Sequence, residues 1–498
     1  MLRRLSDLPF LVILMGLAAG AMLLPAAHAA VARQFDVGRA FLYSALMLMV
    51  LTGMIAIATA NRRPRPSPRR HLMILVASYA VLPLVLALPI TQSMDGLSTW
   101  DAWFEMLSAF TTTGATLFAP EMLPDTLHLW RSLVGWFGGF FILVMALAVL
   151  APLNMGGVEV ATGRTPGRGV GGAMPVSRIA DQGERITYYA VMLFPIYGGL
   201  TLALWIGLLM AGDDGLVALC HAMAVLSTSG ISPVGGIGGD AAGRSGEVLM
   251  ATVMFVTISR GIMLWLAGLD RTWRLRDPEL MTAAVIVLIA AVVFVAPYLF
   301  QATSLAGAAR RFWGAAFTGL SFLTTTGFVS PDWIGREDGF GLQPPGLILL
   351  ALALVGGGVA TTAGGVKLLR VYALYRHGQR ELQRLIEPSS VGGRGQDARQ
   401  LRGEGAYLAW VFFVLFAMSI GLVTALLTLL GVELEAAIIL ALSALTTTGP
   451  LAGMGGDVPI SWADLDRGPQ GILAAAMVLG RLETLAVLAF LMPDAWRR

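Results

Sequence analysis

The sequence predicts an all-α polytopic membrane protein: two extra N-terminal transmembrane helices, then four parallel helix–pore-loop–helix pseudo-repeats around one central axis. Three observations carry that prediction. Of the 498 residues, 56% are hydrophobic and 13% are charged, against about 25% charged in an average soluble domain. Many uncharged windows reach about 18 residues or more, enough to cross a hydrocarbon core ~30 Å thick as a helix. Four short apolar pieces, each followed by a Ser/Thr-rich turn ending in glycine, recur at matching places along the chain.

The basic residues orient the spans. Arg3 and Arg4 precede the first span, and Arg62, Arg63, Arg65, Arg69 and Arg70 follow the second. Further clusters lie at 164–185, 271–276 and 370–402. Clusters of this kind stay on the cytoplasmic side, which puts both termini in the cytoplasm. No basic soluble domain is present to bind nucleic acid. The one cysteine, Cys220, allows neither an intrachain disulfide nor a cysteine-clustered metal site. The apolar run 8–24, followed by Ala27-His28-Ala29, imitates a cleavable signal peptide. The next span, 39–60, returns the chain to the cytoplasm, so the first is read as a retained helix.

Residues 1–70 thus hold two transmembrane helices and a basic cytoplasmic loop. Pore repeat 1 occupies 71–152, a cytoplasmic loop and repeat 2 occupy 153–269, repeat 3 occupies 270–375, and a cytoplasmic loop and repeat 4 occupy 376–498. Each repeat has an apolar span, a short apolar piece, the turn, a loop and a second span. A helix of about twelve residues covers only ~18 Å, so a piece such as Trp100 to Phe110 enters the membrane and turns back. Irregular backbone at that depth is tolerated only where it is buried in protein or lines a wet cavity. Two full spans per repeat return the chain to its starting side, so the repeats are parallel. Inverted repeats, the usual basis of alternating access, need an odd number of spans. Four parallel repeats predict a pore.

The turns are Thr111-Thr112-Thr113-Gly114, Ser227-Thr228-Ser229-Gly230, Thr324-Thr325-Thr326-Gly327 and Thr446-Thr447-Thr448-Gly449. A cation that sheds its hydration shell needs replacement oxygens at close range. Backbone carbonyls, helped by hydroxyls, supply them without the trapping a carboxylate would cause. Glycine permits the positive φ needed to aim successive carbonyls at an axis, and the carboxyl ends of the preceding short helices favour positive charge. One such turn would be an ordinary glycine helix cap. Four at equivalent places predict a filter.

The stretch from Asp101-Ala102-Trp103-Phe104-Glu105 to Thr116, with Trp130-Arg131-Ser132 and Trp136-Phe137-Gly138-Gly139 after it, resembles the first filter and following helix of the Trk/Ktr/HKT potassium transporter superfamily. So do 324–332, the segment Thr362-Ala363-Gly364-Gly365-Val366-Lys367, and Gly480-Arg481-Leu482-Glu483. The likeness covers about 71–496, and the two leading helices resemble the bacterial TrkH branch. The resemblance implies potassium ion uptake across the bacterial inner membrane, by a homodimer with one pore per subunit. It also implies regulation by a cytosolic RCK-type nucleotide-binding ring, which would dock on the loops 153–184 and 375–404. Glycine at all four filter positions implies preference for potassium over sodium. Ser229-Gly230-Ile231 departs from the Gly-Gly-Phe often found in the family's second filter, and Thr446 to Thr448 depart in the fourth. Membrane lipids and the potassium ion are the only small partners expected, with no organic cofactor.

In the third repeat's second span stand Gly356, Gly357 and Gly358, then Thr361, Thr362, Ala363, Gly364 and Gly365. Each interior glycine costs a helix ~1 kcal/mol relative to alanine, which predicts a break; close packing through small residues is the plainer alternative. The resemblance implies that this segment is a gating loop. Arg260 stands 30 residues past Gly230, Arg481 stands 32 past Gly449, and the glycine triplet stands 29 to 31 past Gly327. All three are therefore expected at one depth. A buried arginine needs acceptors, and freed carbonyls of a broken helix provide them. Arg481 and Arg260 are thus expected to hold the loop closed, unless Arg481 simply pairs with Glu483. Lys367, the single lysine, is either an interfacial anchor or a fixed cation near the gate. Asp101, Glu105 and Asp332 are expected at the outer mouth, as cation attractors or a solvated rim. An enzyme would need a nucleophile, metal or phosphate-loop motif, and none is found. The rival reading is a cation symporter coupled to sodium or protons.

Overall fold

Among the residues that the computed structural model describes (10–59, 68–94, 96–152, 157, 182–238, 241–268, 277–299, 305–333, 346–386, 403–456 and 458–482) all regular structure is helical. Seven of these helices are long and apolar enough to cross a membrane, or eight if one bent pair counts as a single span. The first two, α1 (Phe10–Val31) and α2 (Phe35–Thr59), lean on repeat 1. His28 Nδ1 meets the Thr126 hydroxyl at 2.9 Å, the Ser44 hydroxyl donates to Gln92 Oε1 at 3.2 Å, and Phe41 packs edge-on against Trp130 at 5.4 Å. Their other faces expose Leu17, Leu46, Val50 and Ile57, which costs nothing against lipid tails as apolar as leucine itself.

Repeat 1 is α3 (Pro68–Ser93), α4 (Thr99–Phe110) and α5 (Asp125–Leu150). Repeat 2 is α6 (Gln182–Ala211), α7 (Gly215–Ser227), α8 (Gly243–Ile258) and α9 (Arg260–Leu266). Repeat 3 is α10 (Pro278–Leu299), α11 (Leu305–Leu323), α12 (Gly346–Val355) and α13 (Leu368–Ile386). Repeat 4 is α14 (Gly403–Leu429), α15 (Leu434–Leu445) and α16 (Arg467–Leu482). The short helices α4, α7, α11 and α15 each run into one of the four turns. Side chains start two of them: Ser98 accepts the Asp101 N–H at 3.1 Å and Asp214 accepts the Leu216 N–H at 3.2 Å, satisfying donors that a helix start leaves open.

First and second spans differ in burial. The apolar windows of α6 and α14 are 28% buried, whereas that of α5 is 89% buried; the former face lipid and α5 lies inside. Polar contacts fasten the repeats to one another around the axis. Trp136 of α5 donates to Thr201 of α6 at 2.9 Å, and Glu247 of α8 accepts from Trp313 of α11 at 2.6 Å. Gly346 of α12 packs so closely on the backbone of Gly455 that no Cβ would fit. Trp100 of α4 donates to Gln470 of α16 at 2.7 Å. The last contact joins repeat 4 to repeat 1 and closes the ring.

The second spans are not four of a kind. α5 runs through without a break and finishes in a π-helical turn, Ala146–Leu150. The span of repeat 2 turns by 93° between α8 and α9, at Ser259, whose backbone is extended (φ −100°, ψ 117°) and whose hydroxyl accepts the Ile262 N–H at 3.3 Å. Only a single glycine, Gly261, stands near the bend, and hydropathy alone reads straight through it. The span of repeat 3 stops at Val355 and resumes at Leu368, at the glycine-rich segment. Also unlike the expected short piece, α11 has 19 residues, and its first turns carry Arg310 and Arg311.

Candidate functional site

The four turns form one closed ring. A Cβ on Gly114 would collide with the Ser229 carbonyl of the second turn, and one on Gly230 with the Thr326 carbonyl of the third. A Cβ on Gly327 would stand 2.9 Å from the Pro450 ring beside the fourth turn. On Gly449 it would lie 2.7 Å from the Thr113 carbonyl oxygen of the first, to which the Gly449 N–H already donates at 2.6 Å. The contacts run 1–2–3–4–1, and each glycine is the point where one backbone touches the next.

Backbone handedness is nearly as regular. The second residue of every turn is left-handed: Thr112 (φ 54°), Thr228 (φ 53°), Thr325 (φ 58°) and Thr447 (φ 54°). A β-branched residue resists that conformation, and strain of about 1–3 kcal/mol persists only where the surroundings enforce it. Gly114, Gly230 and Gly327 are left-handed as well. Gly449 departs from the expected positive φ: it opens a 3-10 turn, Gly449–Gly453, ahead of Pro450, whose ring packs against Gly327.

Side-chain hydroxyls behave differently from the expectation that they assist the carbonyls. The first and third of each turn bond to one another: Thr111 with Thr113 at 2.8 Å, Ser227 with Ser229 at 3.0 Å, Thr324 with Thr326 at 3.0 Å and Thr446 with Thr448 at 3.2 Å. The first also donates back to its short helix, as from Thr111 to the Leu107 carbonyl at 2.8 Å. These hydroxyls staple the turn to its helix. Those of Thr112 and Thr447 are buried and have no partner among the described residues. No cluster of three His, Cys, Asp or Glu side chains suited to a metal ion occurs among the described residues; the oxygens at the ring are neutral.

A clasp behind each turn was not foreseen. Nine residues before the glycine, Glu105 accepts the Leu117 N–H at 3.0 Å. At the same position His221 bonds the Ser232 hydroxyl at 2.9 Å, and Thr318 accepts the Ser330 N–H at 3.1 Å. The fourth repeat has Leu440 there, and Trp462 instead donates to the Gly449 carbonyl at 3.2 Å. Aligning the repeats on their glycines exposes this polar position. Glu105 is therefore not a mouth residue: it is buried and paired with Arg131 at 2.6 Å. Asp332 pairs with Arg244 at 2.5 Å.

Beneath the ring lies the segment between α12 and α13. Gly364 donates to the Thr325 hydroxyl at 2.8 Å and sits so close to the Thr446 carbonyl that no Cβ would fit. Thr362 donates to the Leu226 carbonyl, at the end of α7, at 3.2 Å. Arg481 Nη1 donates to the Thr362 carbonyl at 2.5 Å. The loop thus touches repeats 2, 3 and 4 where their short helices enter the turns. Gly356, Gly357, Gly358, Thr361, Ala363 and Gly365 are buried with it. Lys367 is buried, with φ 85°, and folds its ammonium onto the Ala363 carbonyl rather than reaching for an interface. Arg260, at the start of α9, makes no hydrogen bond to the loop among the described residues. Glu483 and most of the loops 153–184 and 375–404 lie outside the described residues.

A closed ring of four short helices and Ser/Thr-Gly turns, set among long apolar spans, is the architecture of a membrane transport protein. The chain belongs to the TrkH family, described as cation transport protein, whose profile matches residues 38–235 and 280–495. It is 29% identical over 482 residues to the Trk system potassium uptake protein TrkH of Escherichia coli, covering 96% of each chain. It is 28% identical to the Trk system potassium uptake protein TrkI of Halomonas elongata, over 85% of this chain and 82% of that one. The crystal structure of the potassium transporter TrkH from Vibrio parahaemolyticus matches at a TM-score of 0.80, with 26% identity and full coverage of both chains.

Proposed function

We propose that this protein takes up potassium through the ring of Gly114, Gly230, Gly327 and Gly449, and that the loop 356–367 is its gate. The observation that carries the reading is the closed cycle of glycine contacts. It brings four sets of neutral main-chain oxygens to one axis, the environment in which an ion exchanges water for carbonyls without being trapped. Names of the relatives, potassium uptake proteins throughout, support the choice of ion. The gate reading is supported by the loop's position under the ring, where Arg481 holds the Thr362 carbonyl. Potassium is the cargo, and no organic cofactor is assigned. A homodimer in the bacterial inner membrane, with cytoplasmic termini and a cytosolic RCK-type nucleotide-binding subunit on the basic loops, completes the proposal.

Potassium and sodium influx into proteoliposomes tests it. Wild type is expected to favour potassium, and Gly114→Ser, which forces a side chain into the Ser229 carbonyl, to lose that preference. Equal potassium and sodium flux in wild type, or an unchanged ratio in inserted Gly114→Ser, would contradict the filter assignment.

A further inference from the structure

The loop is held at a second point, by a residue of a different helix. Breaking the span at Val355 leaves backbone N–H groups without helical acceptors, and at this depth water is absent to replace them. The Val359 N–H is met by the carboxylate of Glu279, Oε1 at 2.9 Å. Glu279 lies in the first turn of α10 and is buried. A carboxyl group with so little water contact needs hydrogen-bond donors; the Val359 N–H is one, and the start of a helix favours a carboxylate. The backbone N–H of Glu279 in turn donates to Asp277 Oδ1 at 3.0 Å.

Asp277 carries the connection to repeat 2, because the Ser259 hydroxyl donates to its other oxygen. Ser259 is the residue at the 93° bend. On the far side, Gly358 packs on the Ile258 carbonyl with no room for a Cβ, and that Cβ position is 3.2 Å from Glu279 Oε2. The start of α10 therefore grips both irregular inner segments, the bend of repeat 2 and the loop of repeat 3, which also touch each other.

We propose that Glu279 is a positioning residue of the gate, fixing the loop through Val359 and coupling it to the bend at Ser259, so that bend and loop open as one body. This rests on the gate reading of the loop. The test is basal potassium and sodium flux in proteoliposomes, without any partner subunit, for Glu279→Ala, Glu279→Gln, Glu279→Asp, Ser259→Ala and the pair Glu279→Ala with Ser259→Ala, with Arg481→Ala alongside. Losing a charged acceptor should raise basal flux about tenfold or more in Glu279→Ala, at an unchanged potassium-to-sodium ratio, because the ring is untouched. Glu279→Gln keeps the acceptor oxygen and should stay within about twofold of wild type. Glu279→Asp keeps the charge but is too short to reach Val359, and should also conduct more; it stands in where the alanine variant fails to insert. The paired variant should exceed Glu279→Ala alone by less than the Ser259→Ala increment, as residues in one network are non-additive. Basal flux unchanged in Glu279→Ala and Glu279→Asp while Arg481→Ala conducts would overturn the assignment and leave the gate reading standing. Wild-type basal flux in all of them, Arg481→Ala included, would sink the gate reading itself.

Discussion

The four repeats are alike at the ring of turns and unlike in the second spans below it. At the ring all four repeats keep a left-handed threonine in the second place and a hydroxyl staple between the first and third. Below it, α5 is continuous, α8 and α9 are bent by 93°, and the span of repeat 3 is interrupted from 356 to 367. The proposed roles account for the difference. If the ring is a filter, oxygens that replace a hydration shell must come from all sides, so each repeat is constrained alike. If the loop is a gate, one segment across the passage is enough to close it, and the other spans can serve as its supports.

Three substitutions at the ring and one below it sharpen the comparison. Glu105→Ala is expected to have the largest effect, since it leaves Arg131 buried without its 2.6 Å partner. Breaking such a pair costs about 3–5 kcal/mol, and a fall in thermal stability of the purified protein in detergent, together with lost potassium flux, checks it. Gly230→Ser puts a Cβ into the Thr326 carbonyl; overpacking of about 1–3 kcal/mol at a left-handed backbone should cut the potassium-to-sodium flux ratio about tenfold or more. Below the ring, Arg481→Ala removes the donor to the Thr362 carbonyl. Basal potassium flux should rise about tenfold with the ion ratio preserved, the opposite pattern to the ring variants. Thr324→Val, which removes one hydroxyl staple, should cost only about 1 kcal/mol, seen as a few degrees of melting temperature and little change in flux. If ring and loop variants altered selectivity and basal flux alike, the division between the two levels would be lost.

Much of this was legible from spacing alone. The four Ser/Thr-Gly turns, their short helices and the glycine-rich interruption after Val355 carry residue types that leave few other structures open at membrane depth. The bend at Ser259 was not legible, because one glycine, Gly261, is weak evidence of a break and the contact of Ser259 with Asp277 is tertiary. Hydrogen-bond direction was likewise hidden: the first and third hydroxyls of each turn bond one another, and the charge of Glu105 gives no sign in the sequence of its buried partner Arg131. His221 and Thr318 could have been found by aligning the repeats on glycine. For Lys367 the sequence left an interfacial anchor and a fixed cation beside the loop open, and its burial speaks against the anchor.

The central claim is that four glycines close one selective ring. Potassium and sodium influx into proteoliposomes, compared across Gly114→Ser, Gly230→Ser, Gly327→Ser and Gly449→Ser in an Arg481→Ala background, tests it most directly. The account predicts potassium-selective flux in the parent and a lower potassium-to-sodium ratio in every one of the four. A ratio that stays at the parent value in any inserted variant would show that its turn is not part of the ring and contradict the account.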